Sequence, residues 1–414
     1  MKILYVNPGG ELGGAERSLL DLIASMRAHR PEHQLHLMTA QEGPLSGHAR
    51  DLGARVELVP LPEAIMGLGD SSLRFGGRPM AAAALALAAV RAGPALTSCR
   101  RRLRRAFEQL RPDMIHSNTT KAHLLTASAA GGGTPVVWHV RDFLTARPVM
   151  RRALRWQRRG AVGAIAISNA VAHDARQALP GLPVEVVYNA IDVDRFSPGR
   201  QDGAILDERA GEKPSTEGTL RVGLVATYAR WKGHEVFLEA AAQLAAAADC
   251  PPSRFYIVGG PIYATRGSQF SEAELKGHAA RLGLGNRVVF VGFQSDPVEV
   301  YRALDVVVHA STEPEPFGRT VVEAMACGRC VIVSQAGGAS ELFTHDVDGV
   351  GVQPRDAKGL AAAIRALSRD PARRERLGKA ARATALARFA RARLAPEVLA
   401  AYERFGRSTQ PTRT

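Results

Sequence analysis

Residues 2–26 read KILYVNPGGELGGAERSLLDLIASM, and their order decides the fold. The β-prone run Ile3-Leu4-Tyr5-Val6 stops at a turn rich in glycine, and leucines at helical spacing follow from Leu19 to Met26. Strand, glycine-rich loop and helix make one β-loop-α unit. The alternation recurs, with strands predicted at 34–39, 113–116, 136–140, 164–168 and 184–188. Strands that alternate with helices build a parallel, doubly wound sheet.

Residues 197–219 turn polar and rich in Gly, Pro, Asp and Glu, which predicts an exposed linker. A second series then starts afresh. Strands are predicted at 221–226, 254–258, 287–291, 305–309 and 331–334, with helices from His234 to about Ala247 and through Glu323. The expected class is therefore α/β, two Rossmann-like doubly wound domains facing a central cleft. Their expected bounds are 1–196 and 220–385, with 197–219 as the linker. Residues 356–405 are rich in Ala, Leu and Arg. The helical tail 386–414 is expected to close the second domain and pack back on the first.

The 414-residue chain is long enough for two or three domains, and 46% hydrophobic with 23% charged residues excludes a disordered or collagen-like protein. A formal charge of +14 and a pI of 10.2 point to anionic partners: nucleic acid, anionic lipid or phosphorylated small molecules. Most of the excess lies in the first 200 residues, densest in the runs Arg100–Arg105 and Arg151–Arg159. Four cysteines, at 99, 250, 327 and 330, are too few and too irregular for a disulfide framework, which favours a reducing, intracellular compartment. The apolar start is too short for a signal peptide. The run Met80–Val90 is too short for the roughly 20 residues of a membrane span.

The strongest chemical constellation is EPFGRTVVEAMACG, residues 315–328, with carboxylates at Glu315 and Glu323. Pro314 and Pro316 disfavour helix up to Glu315, and the helical pattern begins near Phe317 or Gly318. The free amides of that helix start, at Gly318, Arg319 and Thr320, suit a phosphate. Glu323 suits a ribose diol and Glu315 a sugar hydroxyl. Spacing alone is equally compatible with two solvated glutamates on a surface helix.

The surrounding residues narrow the choice. Residues 309–318 (HASTEPEPFG) with Glu315 and Glu323 resemble the Glu-x7-Glu motif of the retaining family-four glycosyltransferases, which have the GT-B fold. Gly337-Gly338-Ala339-Ser340-Glu341 resembles the family's Gly-Gly-x-x-Glu turn. Asn189-Ala190-Ile191-Asp192 resembles its interdomain segment, Trp231-Lys232-Gly233-His234 its Lys-Gly motif, and Gly13-Gly14-Ala15-Glu16 its first glycine-rich loop. The likeness is dense over residues 220–353 and patchier over 3–196.

The resemblance implies a nucleotide-sugar donor and a glycan or lipid-linked acceptor, with no metal and no cofactor. Lys232 would neutralise the leaving diphosphate, where developing charge must meet fixed cations and amides. Where the family commonly has an arginine five residues before that lysine, this chain has Thr227, so Arg230 and Arg319 become the candidates for a second cation. Gly13 and Gly14 would offer amides to the same diphosphate. Gly259-Gly260 and Phe293 would meet the base. His139, at a predicted strand end, would position the transferred sugar rather than abstract a proton. Donor identity and acceptor choice are not coded in composition, the latter being assigned to loops such as Pro62–Pro79.

Other motifs carry less. Asp192-Val193-Asp194 matches a metal motif of a different glycosyltransferase fold but stands in the interdomain segment. Cys327-Gly328-Arg329-Cys330 lacks the second pair that structural zinc needs. The arginine runs read as solvated helix faces or as a docking surface for anionic lipid, on the inner face of the membrane of a cytoplasmic protein. Sparse aromatics beside them argue against single-stranded nucleic acid. The rival functions are a nucleotide-sugar epimerase or hydrolase on the same plan and a basic nucleic-acid-binding protein.

Overall fold

A computed structural model describes residues 1–62, 78–131, 133–200, 202–247, 250–261 and 267–408. Most of the Pro62–Pro79 loop, assigned above to acceptor choice, lies outside these residues. The chain forms two compact units, residues 1–190 with 391–414, and residues 191–390.

The first unit holds seven parallel strands: β1 (Lys2–Val6), β2 (Gln34–Thr39), β3 (Arg55–Leu58), β4 (Met114–Ser117), β5 (Val136–Val140), β6 (Gly163–Ala166) and β7 (Val184–Val186). Their order is β3-β2-β1-β4-β5-β6-β7. The second unit holds six: β8 (Leu220–Val225), β9 (Ser253–Val258), β10 (Val288–Val291), β11 (Val306–His309), β12 (Cys330–Ser334) and β13 (Val350–Val352), in the order β10-β9-β8-β11-β12-β13. Both sheets thus reverse their winding once, between β1 and β4 in the first unit and between β8 and β11 in the second. At such a reversal the loops leaving the two strands diverge and open a crevice at the carboxyl edge.

Central strands are apolar on both faces because helices cover both sides; β5 and β12 are buried along their whole length. The edge strands β3 and β13 have no counterpart in the sequence prediction. They have four and three residues, none of β3 is buried and only Val350 of β13 is, and neither shows a clear period.

Two segments differ from the sequence expectation. Within residues 197–219, expected as an exposed linker, the helix Ala204–Ala210 packs into the second unit with Leu206 and Asp207 fully buried, while 211–214 and 216–218 are exposed. Asp207 Oδ1 accepts from Tyr256 Oη at 2.9 Å and pairs with Arg254 at 3.0 Å, while Oδ2 accepts from the Ser215 amide. A buried charge needs such partners, and composition hides them. The chain passes to the second unit at residue 191 and returns at 391. The helix Leu394–Ser408 then joins the first unit's core through Leu394, Ala395, Val398, Ala401, Tyr402 and Phe405, one helical stripe. Its start is fixed by Ser25 Oγ, which accepts from the Ala395 amide at 3.0 Å. Gly163 on β6 makes room for it, since a Cβ there would lie 2.3 Å from the Phe405 ring.

Candidate functional site

The second unit gathers its chemistry at the sheet reversal. After β8 the chain makes the turn Arg230–Lys232 and enters the helix His234–Ala246 through Gly233. Gly233 has φ +78°, and a Cβ would lie 1.8 Å from the Ala310 carbonyl, so only glycine fits. The Thr312 amide donates to the Trp231 carbonyl at 2.8 Å, pinning this turn to the loop after β11. Lys232 is thereby delivered to Glu315. Its Nζ lies 2.6 Å from Glu315 Oε2, and Ser311 Oγ donates to the same oxygen at 3.1 Å. His309 Nε2 approaches it at 3.3 Å, so all three contacts converge on Oε2. Burial alone would raise the Glu315 carboxyl, but the Lys232 charge and the His309 hydrogen bond hold it down at about 2.

The backbone of Glu315 is cradled by the glycine turn 337–338. The Gly338 amide donates to its carbonyl at 2.7 Å, and Gly337, at φ +67°, would bring a Cβ within 2.5 Å of that oxygen. The motifs at 231–234, 309–318 and 337–341 are therefore one structure seen three times along the chain.

Glu323, buried in the helix Arg319–Ala326, already has a protein donor on each oxygen: Tyr301 Oη on Oε2 at 2.8 Å and Arg319 Nε on Oε1 at 2.7 Å. Arg319 is thus tied to its own helix. Arg230 turns from Lys232 to another segment, pairing with Glu274 at 2.8 Å, donating to the Gly267 carbonyl and lying over the Phe270 ring at 4.2 Å. Both candidates for a second phosphate cation are occupied by protein partners. Phe317 points inward, 3% exposed, with its ring edge-on to Phe389, so its side chain does not join the cluster. Gly318 caps the helix at φ +98°, and Thr320 stands half-buried in its first turn. Beyond β9 and β10, Gly259 would bring a Cβ within 1.9 Å of the Ala226 carbonyl, while Phe293 stands exposed beside Gly260.

The first unit has a different cluster at its own reversal. Asn118, just past β4, donates to Asn7 Oδ1, just past β1, at 2.9 Å. Arg141 donates to Asn118 Oδ1 at 2.7 Å and to Asn189 Oδ1 at 2.8 Å. Its third contact is His139 Nδ1 at 3.2 Å. His139 Nδ1 also lies 3.0 Å from His116 Nε2, and His116 Nδ1 lies 2.6 Å from Tyr402 Oη. Burial first, and the Arg141 charge second, hold both histidines well below 6.5. His139 Nε2 is buried and has no hydrogen-bond partner. Gly13 caps the helix Gly14–His29, its amide taken by Glu16 at 3.1 Å, while a Cβ on Gly14 would meet no atom within 4 Å.

His116, Arg141, Asn118, Tyr402, Ser311 and Tyr301 escaped the sequence reading as site residues. The signal that could have found His116 and Asn118 is their place at the carboxyl end of a predicted strand. Nothing local flags Tyr402, which meets His116 across 286 positions.

The remaining motifs are structural. Asp192 Oδ1 accepts from the amides of Asp194 and Arg195, an ordinary Asx turn. Cys327 and Cys330 are buried, free thiols, each pushed up to about 12 by burial. The arginines of both runs are mostly exposed, over an inward stripe of Cys99, Leu103 and Phe107 in one helix and Leu154 in the other. Among the described residues no helix is long and apolar enough to cross a membrane.

The sequence model described as Glycosyl transferases group 1 matches residues 207–384, and that described as Glycosyltransferase Family 4 matches residues 12–195. A D-inositol 3-phosphate glycosyltransferase of Mycolicibacterium smegmatis is 34% identical over 225 residues, 53% of this chain and 47% of that protein. The lipopolysaccharide core biosynthesis mannosyltransferase LpsB of Rhizobium meliloti is 34% identical over 228 residues, 54% of this chain and 61% of its own length. The matched part thus spans about half the length of these curated relatives. Among solved structures, HepE of Anabaena in complex with UDP and glucose superposes with a TM-score of 0.76 at 27% identity, covering 97% of this chain and 99% of that one. Sucrose-phosphate synthase of Thermosynechococcus elongatus shares the fold, with a TM-score of 0.75 at 20% identity over 99% of this chain and 100% of its own.

Proposed function

Because the chain belongs to the group 1 glycosyltransferases, we propose that it moves a sugar from a nucleotide-sugar donor to a glycan or lipid-linked acceptor. In this reading the anomeric configuration is retained, no metal is used, and the product is a cell-surface polysaccharide or glycolipid. One observation carries the proposal: Lys232 and Glu315 meet at 2.6 Å at the sheet reversal, a fixed cation beside a carboxylate that stays ionised. Lys232 and the amides of Gly318, Arg319 and Thr320 take the diphosphate as the bond to the sugar breaks. Glu315 keeps Oε1 for a sugar hydroxyl. Glu323 meets the ribose through lone pairs left by Tyr301 and Arg319. Phe293 and Gly259 meet the base. Gly14 offers its amide to a phosphate, the Gly13 amide being held by Glu16, and His139 donates to the sugar while the departing phosphate takes the acceptor's proton.

The likeness to HepE, solved with UDP and glucose, supports a uridine nucleotide-sugar as the first donor to try. The exposed Arg151, Arg152, Arg155 and Arg159 around Trp156, itself 80% exposed, support peripheral contact with an anionic membrane from the cytoplasmic side. The test is a thermal-shift panel with UDP, GDP, ADP and their sugars in the presence of EDTA, since a ligand that binds only the folded state raises its melting temperature. A selective rise with one nucleotide is expected. A folded protein that no nucleotide stabilises overturns the donor-site reading, and donor consumption without an acceptor favours the epimerase or hydrolase instead.

A further inference from the structure

We propose that Tyr402, on the C-terminal helix, is a positioning residue that fixes the tautomer of His116 and so helps hold His139 with its proton on Nε2. Arg141 has only N–H groups to offer, so His139 Nδ1, 3.2 Å from its guanidinium, must be a lone pair. The neutral ring then carries its proton on Nε2. His116 Nε2 faces the same lone pair at 3.0 Å and must donate to it, so His116 also carries its proton on Nε2. Its Nδ1 is then an acceptor, and the partner at 2.6 Å is the Tyr402 hydroxyl, which burial keeps protonated and therefore a donor. The two hydrogens between Tyr402, His116 and His139 thus each have one acceptor.

The groups packed around the two rings support this assignment. Tyr5 on β1 meets the His116 ring edge-on at 5.4 Å, His123 lies on the neighbouring helix Thr120–Ala129, and Arg141 holds the open end. None of these is an acid that would favour an imidazolium. The far end of the chain, His139 Nε2–H, is buried with no acceptor. An unpaired buried donor is costly, and any oxygen that reaches it gains that energy back. The atom His139 recognises is accordingly an oxygen lone pair, and His139 has no basic nitrogen left for a proton. The tautomer assignment stands on the first unit alone; its consequence for turnover rests on the proposed role of His139 toward the sugar.

Nitrogen-15 NMR of histidine-labelled full-length protein tests the first part directly. Both His116 and His139 should show the neutral Nε2–H pattern from about pH 8 to pH 5.5, where an ordinary histidine titrates. A neutral Nδ1–H pattern or an imidazolium at either ring overturns the proposal. In Tyr402→Phe, which keeps the packed ring and removes only the hydroxyl, the His116 signals should move toward tautomer averaging; unchanged signals also overturn it. Turnover tests the second part. Tyr402→Phe should lower kcat about tenfold, with KM for the donor within about twofold, the scale of one lost hydrogen bond. In a His139→Gln background the same substitution should cost nothing further, because Tyr402 acts through that ring. A loss that persists there refutes the positioning role. Tautomers as assigned, with kcat unchanged in both single variants, refute the role of His139 in transfer and leave the hydrogen-bond assignment standing.

Discussion

The two units share a strand order about a single reversal, yet they put opposite chemistry there. The second unit's reversal is ionic: Lys232 and Glu315 form an ion pair at 2.6 Å, their side chains 19% and 10% exposed. The first unit's is a network of amides, neutral imidazoles and one arginine, closed by a phenol from the far end of the chain. Topology supplies a crevice in both cases; the side chains at the strand ends decide what it does. A diphosphate calls for the first kind of site and a set of sugar oxygens for the second.

The largest expected effect removes the cation. Lys232→Ala should lower kcat/KM by about a thousandfold, as loss of a fixed charge facing a leaving group does, while circular dichroism shows the fold retained. Wild-type turnover would end the assignment of the ionic site to the donor. Next in size is Phe405→Ala, which should destabilise by about 3 kcal/mol in a denaturant titration, because a fully buried ring is lost from the first unit's core. Hydrogen exchange should locate that loss in β5 and β6. If it falls in β11 and β12 instead, the last helix is energetically part of the second unit.

Acid separates the units further. The first unit's buried histidines 36, 116, 123 and 139 have folded values below 6.5, so their contribution is full above pH 6.5 and is lost as pH falls below it. Glu315 runs lower: depressed from 4.5 to about 2, it contributes fully above pH 4.5 and is lost only as pH falls toward 2. Among the described residues the second unit buries one histidine with a lowered value, His234, at about 3. Between pH 6.5 and 5 the first unit should therefore lose protection faster in pulsed hydrogen exchange, by up to about 1 kcal/mol per extra histidine per pH unit. Equal loss in both units would show that the first unit's buried rings take up protons in the folded state.

The same contrast marks what a sequence discloses. The βα alternation is written locally, as apolar runs ended by glycine, and the central strands emerge within a residue or two. Strands β3 and β13 do not, because β3 (RVEL) alternates no buried face and β13 (VGV) is only three residues long. Lys232 and Glu315 stand out as members of motifs, but their mutual bond does not, since 83 residues separate them and only the pairing of β8 with β11 brings their loops together. Asp207 reads as one more acid in a polar stretch because the groups that neutralise it, Tyr256 and Arg254, belong to a distant strand. Tyr402 lies in an alanine- and arginine-rich helix and reads as core. Its hydroxyl acquires a role only from a histidine whose other nitrogen is already committed.

The smallest predicted effect bears on the missing second cation. Arg230 sits two residues before Lys232, and sequence alone makes it a natural partner for a phosphate. In the structure its guanidinium is half-exposed, paired with Glu274 and laid over Phe270. An exposed pair of this kind contributes about 0–1 kcal/mol, so Arg230→Ala should leave the melting temperature nearly unchanged. Turnover should fall by less than about threefold if Lys232 and the helix amides carry the diphosphate between them. A loss approaching that of Lys232→Ala would mean that Arg230 leaves Glu274 when donor binds, and the ionic site would then be a two-cation site assembled by its ligand. The single variant Glu274→Ala separates these cases: releasing Arg230 from its carboxylate should raise donor affinity in the second case and do nothing in the first.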